Sequence, residues 1–484
     1  MMTTGVAKTS RQSDLEMEVT AVVYSRMTYE CQRKSSCSNF SSMIILSLEE
    51  FDDDLANIFT SNISSSSNAD DENILDNRDS IVSVDRDQLQ RISLLGRGRY
   101  CNVHLVAGTL PLPVSSQHQS TSEKAKQHDQ DAPNQKALFA CKSIDPTGVN
   151  GHDEWIIAAS ELANEAKILS DLDHKNIIKL RALCSERFSE SFGCDSNFFH
   201  RYKCRTNNST NGGGLEGFFL VTDVLTETLA DRLNRWRKSN MNLKQSKLLR
   251  SRLSKLSSSS SSSSSSISIN VMYERIETVL LGIARGMEYL SSQNIVLRDL
   301  KPMNVGFDND QGVKLFDFGF ARNVEECDPT IICGSPRYLA PEVVAGKGYS
   351  LKVDVYSFGV LFFEVCSLKV PFKEYFDNDH NSKRSFSTLS WGKKLVKTHN
   401  RCRSKKSDTR SQQQHQVMLK EFYRRVIETE LRPMDDLEPT VLPCPLIRSL
   451  IKECWHTDTE KRPTFQEIVP RLEALLDHQG SIAK

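Results

Sequence analysis

The stretch Val353 to Cys366 constrains this chain most: it is apolar almost all round a helix, yet too short and too interrupted to span a bilayer. Such a helix has to be buried, and the chain has the material to bury it. With 484 residues, and a usual prior of about 100 to 200 residues per domain, two or three units are expected. Lys plus Arg equals Asp plus Glu at 62 each, so no global field draws the chain to nucleic acid or anionic lipid. The 13 cysteines are odd in number and form no C-x-x-C pair, which argues for a reducing compartment and against a disulfide framework. Met1-Met2-Thr3-Thr4-Gly5 lacks the pattern of a signal peptide, and no apolar run approaches the roughly 18 residues of a membrane span. The expectation is a soluble protein of the cytoplasm.

Residues 1 to 87 are rich in Ser, Asp and Asn and read as a disordered N-terminal region. Within them, Met43 to Phe59 interleaves Ile44, Leu48, Phe51, Leu55 and Ile58 with Glu49, Glu50 and Asp52 to Asp54. That acidic amphipathic segment suits docking on a partner or packing on its own domain. From residue 88 the texture changes. Leu89 to Leu95 and Leu105 to Ala107 flank Gly96-Arg97-Gly98, a hairpin with a glycine turn. Ala137 to Ile144 reads as the next strand, and Glu154 to Asp173 as a helix whose stripe is Trp155, Ala158, Leu162, Leu169 and Leu172. Ile177 to Leu180 and Gly217 to Leu225 read as strands, Leu229 to Trp236 as a short helix, and Val271 to Leu290 as an amphipathic one. Polar insertions are expected near 108–136, 184–216, 238–269 and 374–414; the third contains ten consecutive serines, Ser257 to Ser266, read as a flexible linker. Helical patterns at Met418 to Glu428, Leu446 to Trp455 and Phe465 to Leu476 close the chain.

Polar residues in two places carry the chemistry. Asp299, Lys301, Asn304 and Asp317 form a set of acids, an amide and a cation suited to metal-bound phosphate. Upstream, Glu165 falls inside an apolar helical stripe, where a carboxylate needs a partner, and the strand lysine Lys142 can supply it. Glycines before that lysine let backbone N–H groups approach phosphate oxygens.

Taken together, these motifs resemble a eukaryotic protein kinase. The Gly-rich loop, Phe139-Ala140-Cys141-Lys142, Glu165, Leu297-Arg298-Asp299-Leu300-Lys301-Pro302-Met303-Asn304, Asp317-Phe318-Gly319 and Ala340-Pro341-Glu342 stand in the family's order. Asp354-Val355-Tyr356-Ser357-Phe358-Gly359, Cys454-Trp455 and Arg462-Pro463-Thr464-Phe465 extend the match. The resemblance implies an α+β, bilobal fold: a small antiparallel-sheet lobe with one helix over 88–225, and a larger, mostly helical lobe over 226–478, with ATP between them. It implies that Gly96, Arg97, Gly98, Val103, Ala140, Lys142, Thr222, Asp223 and Leu225 contact ATP, and that Asn304 and Asp317 hold Mg²⁺. Asp299 would act on the substrate hydroxyl, Lys301 would neutralise the moving phosphoryl group, and Glu165 would fix Lys142. Lys301 and Gly334-Ser335-Pro336-Arg337-Tyr338-Leu339 resemble serine/threonine kinases, whereas Asp354 to Gly359 resembles tyrosine kinases. That mixture is similar to the tyrosine-kinase-like group, whose members mostly phosphorylate Ser and Thr. A pseudokinase scaffold and a dual-specificity kinase are the competing readings.

Three departures stand out. Leu297 occupies the family's usual histidine position, Cys101 replaces the third glycine, and Gly306 stands where a larger residue normally floors the adenine pocket. Arg298 is expected to receive a phosphate placed on Thr330 by an upstream kinase. The basic run Lys393 to Lys406 reads as a solvated loop, with a nuclear signal or a docking patch as alternatives. Cys184, Cys194, His200 and Cys204 fit no compact zinc spacing.

Overall fold

The computed structural model describes residues 81–110, 136–145, 147–149, 152–186, 217–253, 264–329, 331–376, 408–433 and 442–482. One compact unit takes in the described residues up to Asp173 together with Ile178–Leu225; a second takes in His174–Ile177 and everything from Thr226 onward.

The first unit is a six-stranded sheet with one helix. Strands β1 (Val82–Val84), β2 (Leu89–Arg97), β3 (Cys101–Gly108), β4 (Ala137–Ile144), β5 (Leu180–Cys184) and β6 (Phe219–Thr222) lie in the order β1-β5-β6-β4-β3-β2. Helix α1 (His152–Ser170) buries Trp155, Ala158, Leu162 and Leu169, the stripe legible in the sequence. Two expectations are corrected. The sheet begins at Val82, inside the region read as disordered to residue 87, and β1 runs parallel to β5, so the sheet is not purely antiparallel. The strand expected at Ile177 to Leu180 runs from Leu180 to Cys184 instead, where Leu180, Ala182, Leu183 and Cys184 are all buried.

Next to β1, Arg86 makes a clamp. Its Nη2 donates to Glu186 Oε2 at 2.5 Å and to the Gly217 carbonyl at 3.2 Å. Those two residues flank the inserted segment 187–216, so one guanidinium holds both of its ends. Most of the expected insertions, and the Met43–Phe59 segment, lie outside the described residues.

The second unit is mostly helical. It opens with β7 (Glu227–Thr228) and α2 (Leu229–Leu253). The chain continues with α3 (Ser264–Arg275), which runs through a π turn at Ile276–Leu280 into α4 (Leu281–Ser292). Four short strands follow, β8 (Ile295–Val296), β9 (Val305–Phe307), β10 (Val313–Leu315) and β11 (Arg322–Asn323). Helices α5 (Pro341–Val344), α6 (Lys352–Ser367), α7 (Lys373–Phe376), α8 (Asp408–Glu428), α9 (Pro445–Cys454) and α10 (Phe465–Ile482) complete it. The short helix expected at Leu229 to Trp236 therefore continues to Leu253. Ser264 to Ser266, read as linker, are the first turn of α3.

The apolar helix that constrains the fold is α6, and every residue from Val353 to Cys366 is buried. Phe358 meets Phe465 of α10 edge-on at 5.5 Å between ring centroids. Gly359 permits close approach of α9, since a Cβ there would fall 2.8 Å from the Cβ of Cys454. Each acid in α6 has partners, as burial demands: Glu364 accepts from Arg237 at 2.5 Å and from the Tyr338 hydroxyl. Nearby, Arg462 grips Glu342 with two bonds of 2.6 and 2.8 Å, the structural ion pair of the two motifs.

Candidate active site

In the sheet unit, strand register gathers the residues expected to meet the nucleotide. Val103 pairs with Lys142, and Ala140 pairs with Thr222. Ala140 and Lys142 are two apart on β4, so all four share one face. The turn before them is tight: Gly98 N–H donates to the Cys101 carbonyl at 2.7 Å, and a Cβ on Gly98 would lie 3.2 Å from that oxygen. Gly96 and Arg97 are the last paired residues of β2. Cys101 is buried and paired in β3, so the replacement of the third glycine leaves the hairpin intact.

Lys142 Nζ forms an ion pair with Glu165 Oε2. The Glu165 side chain is only 5% exposed, so the inward carboxylate of the α1 stripe has the partner its burial requires. Asp223 is held by Arg181 through bonds of 2.7 and 3.1 Å, and its own N–H donates to the Lys179 carbonyl at 3.3 Å. This fixes the chain just after Thr222 and leading to Leu225.

In the helical unit a small hairpin sets the spacing of the metal-friendly residues. Val305 pairs with Leu315, Gly306 with Lys314 and Phe307 with Val313. One residue beyond the last rung, Phe316 N–H donates to the Asn304 carbonyl at 3.1 Å. Asn304 and Asp317 thus emerge side by side from the open end of a ladder. At the closed end Asp308 Oδ1 accepts from the N–H groups of Asp310 and Gly312 at 3.1 and 2.6 Å, an Asx-type turn.

Asp299 sits at the centre of this loop, 5% exposed. Its Oδ2 accepts from Lys301 Nζ at 2.5 Å and from Asn304 Nδ2 at 3.1 Å. Lys301 also donates to Ser335 Oγ at 3.0 Å, and Asn304 Nδ2 to the Asp299 carbonyl at 3.0 Å. The other carboxylate oxygen, Oδ1, is buried without a hydrogen-bond partner among the described residues. Burial pushes the Asp299 carboxyl above its ordinary value, with Lys301 pulling the other way. A buried, unpaired acceptor of raised basicity is what a hydroxyl proton would meet.

The donor set also fits a hard divalent cation. Asn304 turns its amide nitrogen to Asp299, which leaves its carbonyl oxygen as the other end, and Asp317 brings a carboxylate. Among the described residues no group of three or more His, Cys, Asp or Glu side chains is placed to hold a metal unaided. Two protein oxygens suit an ion that fills the rest of its shell with phosphate and water.

The loop is anchored from below by Asp354 of α6. Its Oδ2 accepts from Leu297 N–H at 2.7 Å and its Oδ1 from Arg298 N–H at 2.9 Å. Arg298 takes a left-handed φ of 67°, and its Nε donates to the Phe320 carbonyl at 2.6 Å. Its guanidinium lies 5.2 Å from the Tyr349 ring centroid. Gly334 approaches so closely, with φ of 113°, that a Cβ there would sit 2.5 Å from the Arg298 carbonyl oxygen. Thr330, the expected phosphate acceptor for Arg298, lies outside the described residues.

In the sequence Asp354 stands inside a motif without a role of its own, although an acid in an otherwise apolar helix needs partners, just as Glu165 does. Gly334 and Ser335 belong to the substrate-binding segment of the resemblance, and their contacts with Arg298 and Lys301 emerge only in three dimensions.

The family pattern described as a protein kinase domain matches residues 238–471, a little under half of the chain, and does not reach Lys142 or Glu165. The chain is similar to serine/threonine-protein kinase 12 of Arabidopsis thaliana, 32% identical over 207 residues, covering 41% of this chain and 35% of that protein. It is also similar to the cAMP-dependent protein kinase catalytic subunits of Arthrobotrys oligospora and Dictyostelium discoideum. These are 49% identical over 90 residues (19% of this chain, 17% of that protein) and 45% over 97 residues (20% and 14%). The shared stretch spans 14% to 35% of the length of these relatives.

Proposed function

We propose that this chain, which carries a eukaryotic protein kinase domain, transfers the γ-phosphate of ATP to serine and threonine hydroxyls of protein substrates. The observation that carries the reading is Asp299 Oδ1, a buried acceptor without a hydrogen-bond partner among the described residues, beside the Lys301–Asn304 network. Asp299 orients the incoming hydroxyl and takes its proton, and Lys301, already shared between Asp299 and Ser335, balances the charge. Lys142, fixed by Glu165, supplies the point charge for the phosphates. Asn304 and Asp317 are the residues that would hold Mg²⁺, which supplies Lewis-acid neutralisation of phosphate charge when bound.

The finer assignments rest on the sequence. Lys301 and the Gly334 to Leu339 segment support serine/threonine specificity, and the mixed motifs support the tyrosine-kinase-like group. The segment around Thr330 is a target for an upstream kinase, with Arg298 as receiver of the phosphate. A cytoplasmic location is supported by the free cysteines among the described residues. No helix among the described residues is long and apolar enough to cross a membrane.

Incubating the purified chain with radiolabelled ATP, Mg²⁺ and a degenerate peptide library tests the whole reading. Label on serine and threonine is expected. Label confined to tyrosine overturns the specificity, and no label with any peptide overturns the activity in favour of a scaffold.

A further inference from the structure

Strand β5 is irregular where it meets β6. Leu180 pairs with Thr222 and Ala182 with Val221, so two steps along β5 oppose one along β6, and Arg181 is the extra residue of a β-bulge. The strand is secured without it, since Leu180, Ala182 and Leu183 are buried and paired with β6. A bulge re-aims the side chain that it carries. Here it brings Arg181 Nε and Nη2 to the two carboxylate oxygens of Asp223, at 2.7 and 3.1 Å. The fork is two-pronged and partly shielded, with side chains 23% and 29% exposed, which fixes direction as well as charge.

Asp223 is the first residue past the ladder, because β6 ends at Thr222, which pairs with both Ala140 and Leu180. Its N–H is spent on the Lys179 carbonyl. Its own carbonyl accepts from the Thr222 hydroxyl at 3.3 Å, and a carbonyl has two lone pairs, so one acceptor position is left. The next two residues, Val224 and Leu225, are half-buried, and their backbone groups have no hydrogen-bond partner among the described residues. Half-buried backbone groups left open beyond a fixed strand end suit the edge of a flat heterocycle.

We propose that Arg181 is a positioning residue for the nucleotide base: through Asp223 it fixes the direction of the Asp223 carbonyl, and so enforces a purine with an exocyclic amine over one with an oxygen in its place. The inference rests on the kinase reading above and names the residue that enforces its choice of base. The Thr222 hydroxyl sharpens that choice by filling one lone pair. An amine can donate to the other, whereas an oxygen would leave two acceptors facing each other. Without Arg181, Asp223 keeps only its bond to Lys179 and the long bond from Thr222, and its carbonyl swings with the peptide plane.

Calorimetric titration of the full chain with the magnesium complexes of ATP and inosine triphosphate tests this without turnover, since the second carries an oxygen where the first carries the amine. The parent is expected to bind ATP about tenfold or more tightly than inosine triphosphate. R181M keeps the stem and removes the fork; it is expected to weaken ATP about tenfold and to leave inosine triphosphate within about twofold. D223N should cost ATP the same factor, and R181M/D223N no more than either alone, as for two residues acting as one. R181K, which keeps the charge, should recover part of the loss. With a peptide substrate, R181M should raise KM for ATP about tenfold and leave kcat at saturating ATP within about twofold. If R181M binds both nucleotides as the parent does, the proposal is overturned, whatever the unfolding temperature. Equal weakening of both overturns it too, because the ion pair would then serve the sheet alone. A parent that discriminates the two nucleotides through Arg181 but transfers no phosphate overturns the reading of activity and upholds the proposal; a parent that binds neither overturns both.

Discussion

Two lysine–carboxylate pairs serve the proposed reaction, and they are built in opposite ways. Lys301 and Asp299 stand two residues apart in one loop, with side chains 8% and 5% exposed. Asn304, Ser335 and the hairpin rung at Phe316 fix their surroundings. Lys142 and Glu165 are 23 residues apart on a strand and a helix, and the lysine side chain is 19% exposed. The first pair is locked by short chain connections and several hydrogen bonds. The second joins a strand to a helix and so follows how α1 sits on its sheet, which makes the loop the fixed part of the machinery and the strand–helix pair the adjustable part.

The sharpest challenge to that contrast is Asp299→Asn. It keeps the shape but removes the carboxylate that takes the hydroxyl proton, so kcat should fall about 10²- to 10⁴-fold. An unchanged kcat would mean that the loop does not supply the base. Glu165→Gln should cost less, about 10²-fold, because it releases Lys142 without removing it. Steady-state rates at saturating ATP would show this, and an effect as large as that of Asp299→Asn would erase the distinction between fixed and adjustable parts.

Asp354 sharpens the comparison through pH. Burial raises its carboxyl to about 6, despite the hydrogen bonds from Leu297 and Arg298 and the Arg298 charge; Asp299 pushes it further up. Because the folded value lies above the usual carboxylate value of about 3.9, the folded state binds the proton more tightly than the unfolded one. The stability that this group contributes is full below about 4 and is lost as pH rises through about 6. The loop's need runs the other way, since two N–H groups want the ionised form. Activity should therefore fall roughly tenfold per pH unit below about 6. In Asp354→Asn the pH dependence of thermal unfolding between 4 and 6 should flatten, which scanning calorimetry on both proteins would reveal. The smallest effect is expected far from either pair: Arg86→Ala should lower stability by about 1 kcal/mol and leave kcat unchanged.

What the sequence disclosed follows the same division. Glu165 was legible because an acid interrupts an apolar stripe, and α6 because it is apolar on every side. The geometry of Asn304 and Asp317 was not, since β9 and β10 are three residues each and carry no readable period. Nor was β1, a Val-Ser-Val edge strand in polar surroundings whose pairing is decided by β5, about a hundred residues away. The length of α2 was not legible because basic and polar residues dominate the stretch after Trp236. Lys, Gln, Leu and Arg are nevertheless good helix formers.

The Arg86 clamp has a bearing on how such a chain can change. With Glu186 and Gly217 held on one guanidinium, and Leu183 paired to Leu220 just behind them, the entry and exit of the intervening segment are fixed by the fold itself. Lengthening a loop whose ends are already together costs only about 0.6 kcal/mol per doubling. This doorway would admit a few residues or a whole grafted domain at nearly the same expense, a permissive site for evolution and for a genetically fused reporter alike.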